Sequence, residues 1–189
     1  MPAWHAAHAI DERTTVQKID PKKLEARLLK DGQVLDFASD PLPPRTSATR
    51  ATPPGIVVDD EAAQLKGFQS QSTASSTFVG HGYAHDGNTG KGEQTARFTP
   101  DLPKAGRYTV AIAYPVNANR ASNVPVVIRH ADGETRLTLN QKKKPSVDGL
   151  LEPVGTFRFA AGKSGYVELS NAGTDGYVVI DAVQWVEAK

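Results

Sequence analysis

The stretch that decides the fold is RYTVAIAYPVNANRASNVPVVIRHADGETRLTLN, residues 107–140. At its start Tyr108, Val110 and Ile112 alternate with polar or smaller residues, the period of a half-buried β-strand. A second apolar run, residues 124–130, is followed by the sequence ADGE, whose Asp-Gly pair is a strong hairpin signal. The stretch therefore predicts antiparallel strands joined by tight turns.

Short strand patterns of the same kind lie on both sides of this stretch, separated by Gly, Pro, Asn and Asp. A parallel α/β sheet would need helices between its strands, and no helical period occurs there. The pattern predicts an all-β, antiparallel β-sandwich or jelly roll. The predicted strands are residues 55–60, 95–98, 107–114, 124–130, 136–140, 154–159, 165–170 and 177–185.

Residues 1–37 differ from the rest because their pattern favours short helices. Asp20-Pro21 is typical of a helix start, with the proline at the first helical position. Leu24 and Leu28 form an apolar stripe, and Asp31-Gly32 predicts a glycine C-cap. This helical N-terminal extension has nothing of its own to bury the stripe against, so we expect it to dock on another surface.

Residues 38–54 contain five prolines and many Ser and Thr residues. Such a composition favours an extended, semi-rigid linker. The predicted organisation is therefore a helical segment at 1–37, a Pro-rich linker at 38–54 and a β-sandwich domain at 55–189.

Composition excludes several classes of function. The formal net charge is +1, so no overall field favours nucleic acid or an anionic membrane. The chain has no cysteine, and hence no disulfide framework or thiolate chemistry. No apolar run approaches a membrane span of about 18 residues, and His, Asp, Glu and Arg interrupt the N-terminus where a signal peptide would need an apolar core. We expect a soluble chain without an export signal of its own, and the compartment stays open.

The glycine-rich stretch GHGYAHDGNTGKG, residues 80–92, suggests either a phosphate-binding loop or a zinc site, and its spacing excludes both interpretations. A phosphate-binding loop would need glycine where His85 stands and Ser or Thr where Gly92 stands. A zinc pair at His81 and His85 would need a helix, which this glycine content disfavours. We expect a glycine-shaped connection between strands.

Oxygen ligands leave a structural calcium site open. Asp86 and Asn88 lie on this flexible stretch, and Asp59 or Asp60 at the end of the first predicted strand would complete a set. The spacing matches no dedicated calcium loop, so these four residues are a prediction from ligand type alone. We expect no other cofactor.

Binding is the more natural use of the polar residues that gather in the connections. Amide, carboxylate and guanidinium groups give paired hydrogen bonds to vicinal hydroxyls or to a uronate, and aromatic rings give an apolar face. The alternative is that Asn and Asp are simply common in turns. The candidate carbohydrate-binding residues are Tyr83, His85, Asp86, Asn88, Asn119, Arg120, Asn140, Gln141, Asp175 and Tyr177.

Catalytic machinery is harder to find. The string Gly-x-Ser-x-Gly does not occur, and most aspartates are typical turn or cap residues. Tyr83, His85 and Arg120 can be combined into the base and charge neutraliser of a polysaccharide lyase, but their spacing does not demand it. No catalytic residue is assigned.

Residues 55–185 resemble the golvesin C-terminal-like domain, also called the xanthan-lyase carbohydrate-binding-like domain. The resemblance rests on long motifs, among them GIVVDDEAA (55–63), FVGHGYAHDGNTGKGEQTARF (78–98) and NAGTDGYVVIDAVQW (171–185). It implies a β-sandwich module appended to secreted or surface enzymes, with a role in sugar binding. The closing VVIDAVQW also resembles the last strand of galactose-binding-like jelly rolls.

Residues 5–37, HAAHAIDERTTVQKIDPKKLEARLLKDGQVLDF, resemble the C-terminal tail of FAD-dependent oxidoreductases. The resemblance implies that residues 1–37 are the helical remnant of a larger enzyme. The dinucleotide fingerprint is missing, so FAD itself is not expected to bind. We expect a non-catalytic accessory module that binds polysaccharide or a cell surface and belongs beside a parent catalytic domain. The alternatives are a xanthan-type polysaccharide lyase and a purely structural C-terminal domain.

Overall fold

The structure is a computed structural model that describes residues 53–75 and 77–188, and outside them the backbone of four strands, three before residue 37 and one at residues 49–51. The chain forms two compact units, Met1–Ser47 and Ala48–Lys189. Each unit is described by itself.

In the first unit three short strands form an antiparallel sheet in the order β1-β2-β3. They are β1 (Thr14–Val16), β2 (Arg27–Lys30) and β3 (Gln33–Asp36). The helix predicted to end at Lys30 is therefore wrong over its last four residues, which are extended. The remainder of that helix lies outside the described residues.

The correction has a physical reason in the same residues. Lys30 pairs with Gln33, so that Asp31-Gly32 separates two antiparallel strands. An Asp-Gly pair is as typical of a two-residue hairpin as of a helix end, and RLLK and QVLD suit paired strands. The leucine spacing alone favoured the helix.

The described residues of the second unit form fourteen strands. They are β4 (Thr49–Ala51), β5 (Ile56–Asp59), β6 (Gln64–Lys66), β7 (Ser70–Ser72), β8 (Thr77–Val79), β9 (Tyr83–His85), β10 (Thr95–Phe98), β11 (Gly106–Ala113), β12 (Val124–His130), β13 (Gly133–Leu139), β14 (Leu151–Phe159), β15 (Tyr166–Ser170), β16 (Val179–Ile180) and β17 (Ala182–Glu187).

Two sheets form the sandwich. One has five strands in the order β13-β12-β15-β10-β6, and the other has four in the order β14-β11-β17-β5. All pairs within both are antiparallel. A small sheet, β16-β9-β7, and a parallel pair, β4-β8, complete the unit. The all-β antiparallel sandwich is confirmed.

The core lies between the two large sheets, and the alternation along β11 shows why. Val110 and Ile112 are at most 1% exposed and belong to the same core cluster as Trp185, whereas Ala111 and Ala113 lie on the opposite face in a second cluster with Leu151, the strand partner of Ala113. Removing a buried aliphatic side chain such as Ile112 would cost about 2–5 kcal/mol. The period of two seen in the sequence is thus the period of the two faces.

The strands β6 to β9 were not predicted from the sequence pattern. Each has three residues, and neither the exposed Gln64–Lys66 nor the partly exposed Ser70–Ser72 shows apolar alternation. Residues 80–92 are not only a connection, because Tyr83–His85 within them form β9. In the described part of the chain, no helix is long and apolar enough to cross a membrane.

Candidate functional site

One end of the sandwich is organised by β9, which lies between β7 and β16. Beside it, two connections are tied together: the Ala121 amide donates to the Tyr177 carbonyl at 2.8 Å, and the Tyr177 amide donates to the Asn119 carbonyl at 3.0 Å. Gly176 permits this approach, since a Cβ there would lie 2.6 Å from the Arg120 carbonyl oxygen. The pairing fixes Tyr177 next to Arg120.

The strand and the two connections enclose an open cavity of about 330 Å³. Five of the predicted carbohydrate-binding residues meet in it, although up to 94 positions separate them in the sequence. We call this cavity the tyrosine–arginine pocket. It is lined by Ser72, Ala74, Ser75, Tyr83, His85, Val116, Asn117, Asn119, Arg120 and Tyr177.

Aromatic rings form two sides of the tyrosine–arginine pocket. His85 and Tyr177 meet edge to face, with ring centroids 6.0 Å apart. Tyr83 is 3% exposed, and its hydroxyl accepts a hydrogen bond from Ser72 Oγ at 3.1 Å. The Tyr83 ring therefore serves as a fixed wall, while the half-buried Tyr177 presents part of its surface to solvent.

Arg120 supplies the positive charge of the pocket. The residue is 8% exposed; its Nε donates to the Pro115 carbonyl at 3.2 Å and its Nη1 to Asn119 Oδ1 at 3.1 Å. Its Cζ lies 5.7 Å from the centre of the Tyr83 ring, within cation–π range. The guanidinium is held in one orientation by neutral groups.

His85 is neutral near pH 7. Burial, followed by the positive charge of Arg120, lowers the pKa of the imidazole, and the negative charge of Asp86 only partly offsets them. The Gly87 amide donates to His85 Nδ1 at 3.1 Å, which puts the proton of the neutral ring on Nε2. His85 can then donate one hydrogen bond to a ligand.

Asp86 has a different role from its neighbour. It is 3% exposed, and Oδ1 accepts hydrogen bonds from the amides of Asn88 at 2.9 Å and Val178 at 3.0 Å. Its Oδ2 accepts from Lys91 Nζ at 2.8 Å and Asn171 Nδ2 at 3.3 Å. A carboxylate surrounded by N–H donors has little capacity left for a sugar or a cation, so Asp86 organises the glycine-rich stretch.

The same network accounts for the lysine and glycines of residues 80–92. Lys91 Nζ also donates to Thr174 Oγ1 at 2.9 Å and to the Gly176 carbonyl at 2.7 Å. Asn171 Nδ2 donates to the carbonyls of Thr89 and Gly90. The Gly-Lys pair that suggests a phosphate loop is a structural clamp between this stretch and residues 171–178.

The remaining predicted binding residues lie outside the tyrosine–arginine pocket. Gln141 is fully buried and makes two hydrogen bonds to the backbone of Val179. Asp175 is exposed; hydrogen bonds from the Ser122 hydroxyl and amide, both 2.6 Å, lower the pKa of its carboxyl to about 2. Asn140 lines a separate cavity of about 410 Å³.

Asn88 is exposed on the turn after Asp86, in the left-handed region at φ 58°. The structure adds residues to the pocket that the sequence did not single out: Ser72, Ala74, Ser75 and Val116. Their types carry no signal, and only the fold brings them together.

The four residues of the predicted calcium site fall into two groups. Asp59 is the last residue of β5 and Asp60 begins the 3₁₀ turn that follows it. Each has a buried Oδ2 atom without a hydrogen-bond partner among the described residues. Burial raises the pKa of Asp60 to about 7, and the hydrogen bond with Asp59 and the negative charge of Asp59 act in the same direction. Burial also raises the pKa of Asp181, whose carboxylate accepts from the Val79 amide.

Unpaired carboxylate oxygens at Asp59 and Asp60 fit a hard cation, whereas the donor-filled shell of Asp86 does not. Among residues 53–75 and 77–188, no three Asp, Glu or His side chains are grouped so as to hold a metal ion. A calcium ion at Asp59 and Asp60 would need backbone or water ligands, and it stays a prediction.

Residues 56–187 match the family model described as the golvesin C-terminal domain. A xanthan lyase of Bacillus sp. (strain GL1) is 39% identical over 139 residues, which are 70% of this chain and 15% of that protein. The chain therefore spans about a seventh of that relative.

Among solved structures, a Paenibacillus xanthan lyase superposes with a TM-score of 0.67 at 35% identity, covering 71% of this chain and 13% of its own. A Podospora anserina GH26-CBM35 β-(1,4)-mannanase superposes with a TM-score of 0.50 at 19% identity, covering 71% of this chain and 28% of its own. The second likeness shows a shared fold and no more.

Proposed function

We propose, for a chain that belongs to the golvesin C-terminal domain family, that residues 56–187 form a non-catalytic accessory module that binds carbohydrate. The observation that carries the proposal is the tyrosine–arginine pocket. It combines aromatic surface, planar amides, an imidazole donor and a guanidinium in one cavity at the end of the sandwich. These are the groups that bind the faces and hydroxyls of sugar rings.

The size of the cavity supports a short ligand. About 330 Å³ lies at the lower end of the range for small-molecule sites. This suits a chain end, a side branch or a short internal segment of a polysaccharide. Tyr177, which is half-buried and edge-on to His85, is the ring best placed to pack against it.

Affinity electrophoresis through gels containing neutral or acidic polysaccharides tests this proposal. Wild-type protein should be retarded by at least one polysaccharide, and Tyr177→Ala should weaken that retardation about tenfold, the loss of one stacking contact of roughly 1.4 kcal/mol. Tyr166→Ala is the matched control, because the Tyr166 ring lies under Arg97 and outside the pocket.

Retardation by no polysaccharide would count against carbohydrate binding and favour a purely structural module. Equal loss in both tyrosine variants would mean that binding does not use the pocket.

We also propose that the module works beside a parent catalytic domain, because the similar segment makes up only 15% of the xanthan lyase of Bacillus sp.. Secretion or surface location of such a parent is part of the same proposal. The likeness of residues 5–37 to the tail of FAD-dependent oxidoreductases stays a prediction, since the family match begins after it. A dinucleotide fingerprint encoded upstream in frame would support it.

A polysaccharide lyase is the second candidate, and one observation favours it: Tyr83, His85 and Arg120 lie in one cavity. Arg120 would neutralise the uronate, and His85 or a tyrosine would take the proton. The buried Tyr83 hydroxyl, already bonded to Ser72, is poorly placed as that base. Unsaturated-uronate absorbance that grows during incubation with xanthan, and is lost in His85→Ala, would establish the lyase.

A further inference from the structure

Resting on the proposed function, we infer that the tyrosine–arginine pocket selects a sugar that bears a carboxylate, and that Arg120 is the residue that binds the carboxylate. The proposal starts from a charge that the fold does not neutralise. Arg120 is 8% exposed, yet no carboxylate of the described residues forms a salt bridge with it.

Four of the five other arginines among the described residues of the sandwich form salt bridges, and the exception, Arg107, is exposed. Arg97 pairs with Glu168 at 2.8 Å, Arg136 with Glu134 at 3.1 Å and Arg158 with Asp132 at 3.1 Å, and all three are more exposed than Arg120. Burying a charge without a counter-charge is unfavourable, because the charge loses its hydration. The arginine that most needs an acidic partner has none in the described part of the chain.

The geometry of the guanidinium leaves donors for a ligand. Nε and Nη1 each make one hydrogen bond, to the Pro115 carbonyl and to Asn119 Oδ1, and the described residues offer no hydrogen-bond acceptor to Nη2. An arginine has five N–H donors in a planar fork, which matches the two oxygens of a carboxylate. Arg120 lines the cavity, so its remaining N–H donors are available on that side.

The rest of the pocket preserves this charge. Among the residues that the structure describes, no acidic side chain lines the cavity. Asp86, the nearest acid along β9, is neutralised by Lys91 Nζ at 2.8 Å. His85 is neutral near pH 7, because burial and Arg120 both lower the pKa of its ring. The pocket therefore carries one net positive charge, together with neutral donors and aromatic surface for the sugar ring.

The carboxylate has two chemical sources in polysaccharides, the uronic acid itself and an acidic substituent such as a pyruvate ketal. Both present the same planar anion beside a sugar ring. The proposed ligand group is the carboxylate that both share, and the choice of polysaccharide in the binding experiment distinguishes the two sources.

The experiment compares wild-type binding to xanthan, to carboxyl-reduced xanthan and to xanthan without its pyruvate groups, by affinity electrophoresis at about 150 mM salt to screen exposed charges. We expect binding to xanthan and a loss of about tenfold or more for the carboxyl-reduced form, as for one charge-assisted pair. If xanthan without pyruvate groups binds as weakly as carboxyl-reduced xanthan, the bound carboxylate is that of the pyruvate ketal. If it binds as tightly as intact xanthan, the bound carboxylate is that of the uronic acid. Dextran sulfate, which is anionic but has no carboxylate, should bind weakly.

Two variants of Arg120 and one control locate the effect. Arg120→Met should remove the preference for xanthan over its carboxyl-reduced form, and Arg120→Lys should restore only part of it, because an ammonium lacks the planar fork. Lys143→Gln, in the exposed Lys142–Lys144 run, should leave both affinities unchanged. Thermal melting of each variant checks that it is folded.

Equal binding of xanthan and carboxyl-reduced xanthan by the wild-type protein would overturn the carboxylate assignment while leaving carbohydrate binding in place. Dextran sulfate binding as tightly as xanthan would overturn it in favour of general anion attraction. Binding to none of the polysaccharides would overturn it together with the proposed function. The wild-type comparison needs no variant, so a misfolded Arg120 variant does not weaken the test.

Discussion

Replacement of Asp86 by Asn should destabilise the sandwich strongly although the two side chains have nearly the same shape. The carboxylate accepts four hydrogen bonds, two at each oxygen, from Asn88, Val178, Lys91 and Asn171. An amide group can accept at one end only, so its NH₂ would face two donors. The charge beside Lys91 disappears at the same time.

The magnitude follows from the contacts that are lost. Breaking a buried ion pair costs about 3–5 kcal/mol, and two hydrogen bonds to a charged acceptor represent a similar sum. The lower end applies, because the Lys91 side chain is 28% exposed and keeps Thr174 and Gly176 as acceptors. We expect about 3 kcal/mol, equivalent to roughly 10 °C in the melting temperature of a domain of this size.

Calorimetry or circular dichroism of Asp86→Asn measures this loss directly. Asp101→Asn is the control: its carboxylate pairs with Lys163 at the surface, with both side chains more than two-thirds exposed, so its melting temperature should barely change. Lys91→Met should also destabilise, and the double variant should lose less than the sum of the two. An Asp86→Asn protein that melts within about 2 °C of wild type, or additive single losses, would refute a buried clamp.

Three further outcomes can be measured on the same protein. Because the pKa of Asp60 is raised to about 7, the protonated side chain contributes stability that is present below pH 4 and is lost as the pH rises through 7. The melting temperature should therefore fall between pH 4 and pH 7, and Asp60→Asn should make it less dependent on pH. If calcium binds at Asp59 and Asp60, adding it at pH 8 should raise the melting temperature, because a calcium concentration of a hundred times Kd increases the free energy of unfolding by about 2.7 kcal/mol. A melting temperature that changes with neither calcium nor chelator would exclude the site. Gly176→Ala should weaken glycan binding more than Gly106→Ala, because a Cβ at 176 would lie 2.6 Å from the Arg120 carbonyl oxygen, while one at 106 would come no closer than 3.6 Å to the Tyr108 ring; equal effects would show that the close approach is not needed.

The sandwich was predictable because its large strands are half-buried and carry a period of two. Thr95–Phe98 and Val124–His130 were predicted with their observed bounds. The hairpin after His130 was also predicted, and Gly133 takes the φ of 130° that suits glycine there. Short polar strands such as Ser70–Ser72 were missed, since their pairing with β9 comes from tertiary neighbours rather than local pattern.

The binding residues were only partly predictable, and for a different reason. Tyr83, His85 and Arg120 were chosen for their chemistry, and the fold does bring them to one cavity. Asp86 and Gln141 were chosen on the same grounds, but each is buried against backbone groups of Val178 or Val179, more than thirty positions away. Residue type shows what a side chain can bind, whereas burial decides whether it is already occupied.

The two cations at this end of the sandwich make that distinction sharp. The Lys91 side chain is 28% exposed and has a buried carboxylate 2.8 Å away, whereas Arg120 is 8% exposed and has only neutral acceptors among the described residues. If both were structural, desolvation would favour an acidic partner for each, and more strongly for the more buried Arg120. The described residues supply that partner where the cation holds the chain together and do not supply it where the cation faces a cavity. An unneutralised arginine in an aromatic pocket is consistent with a partner that arrives with the ligand, since departures from the rules of stability concentrate at functional sites.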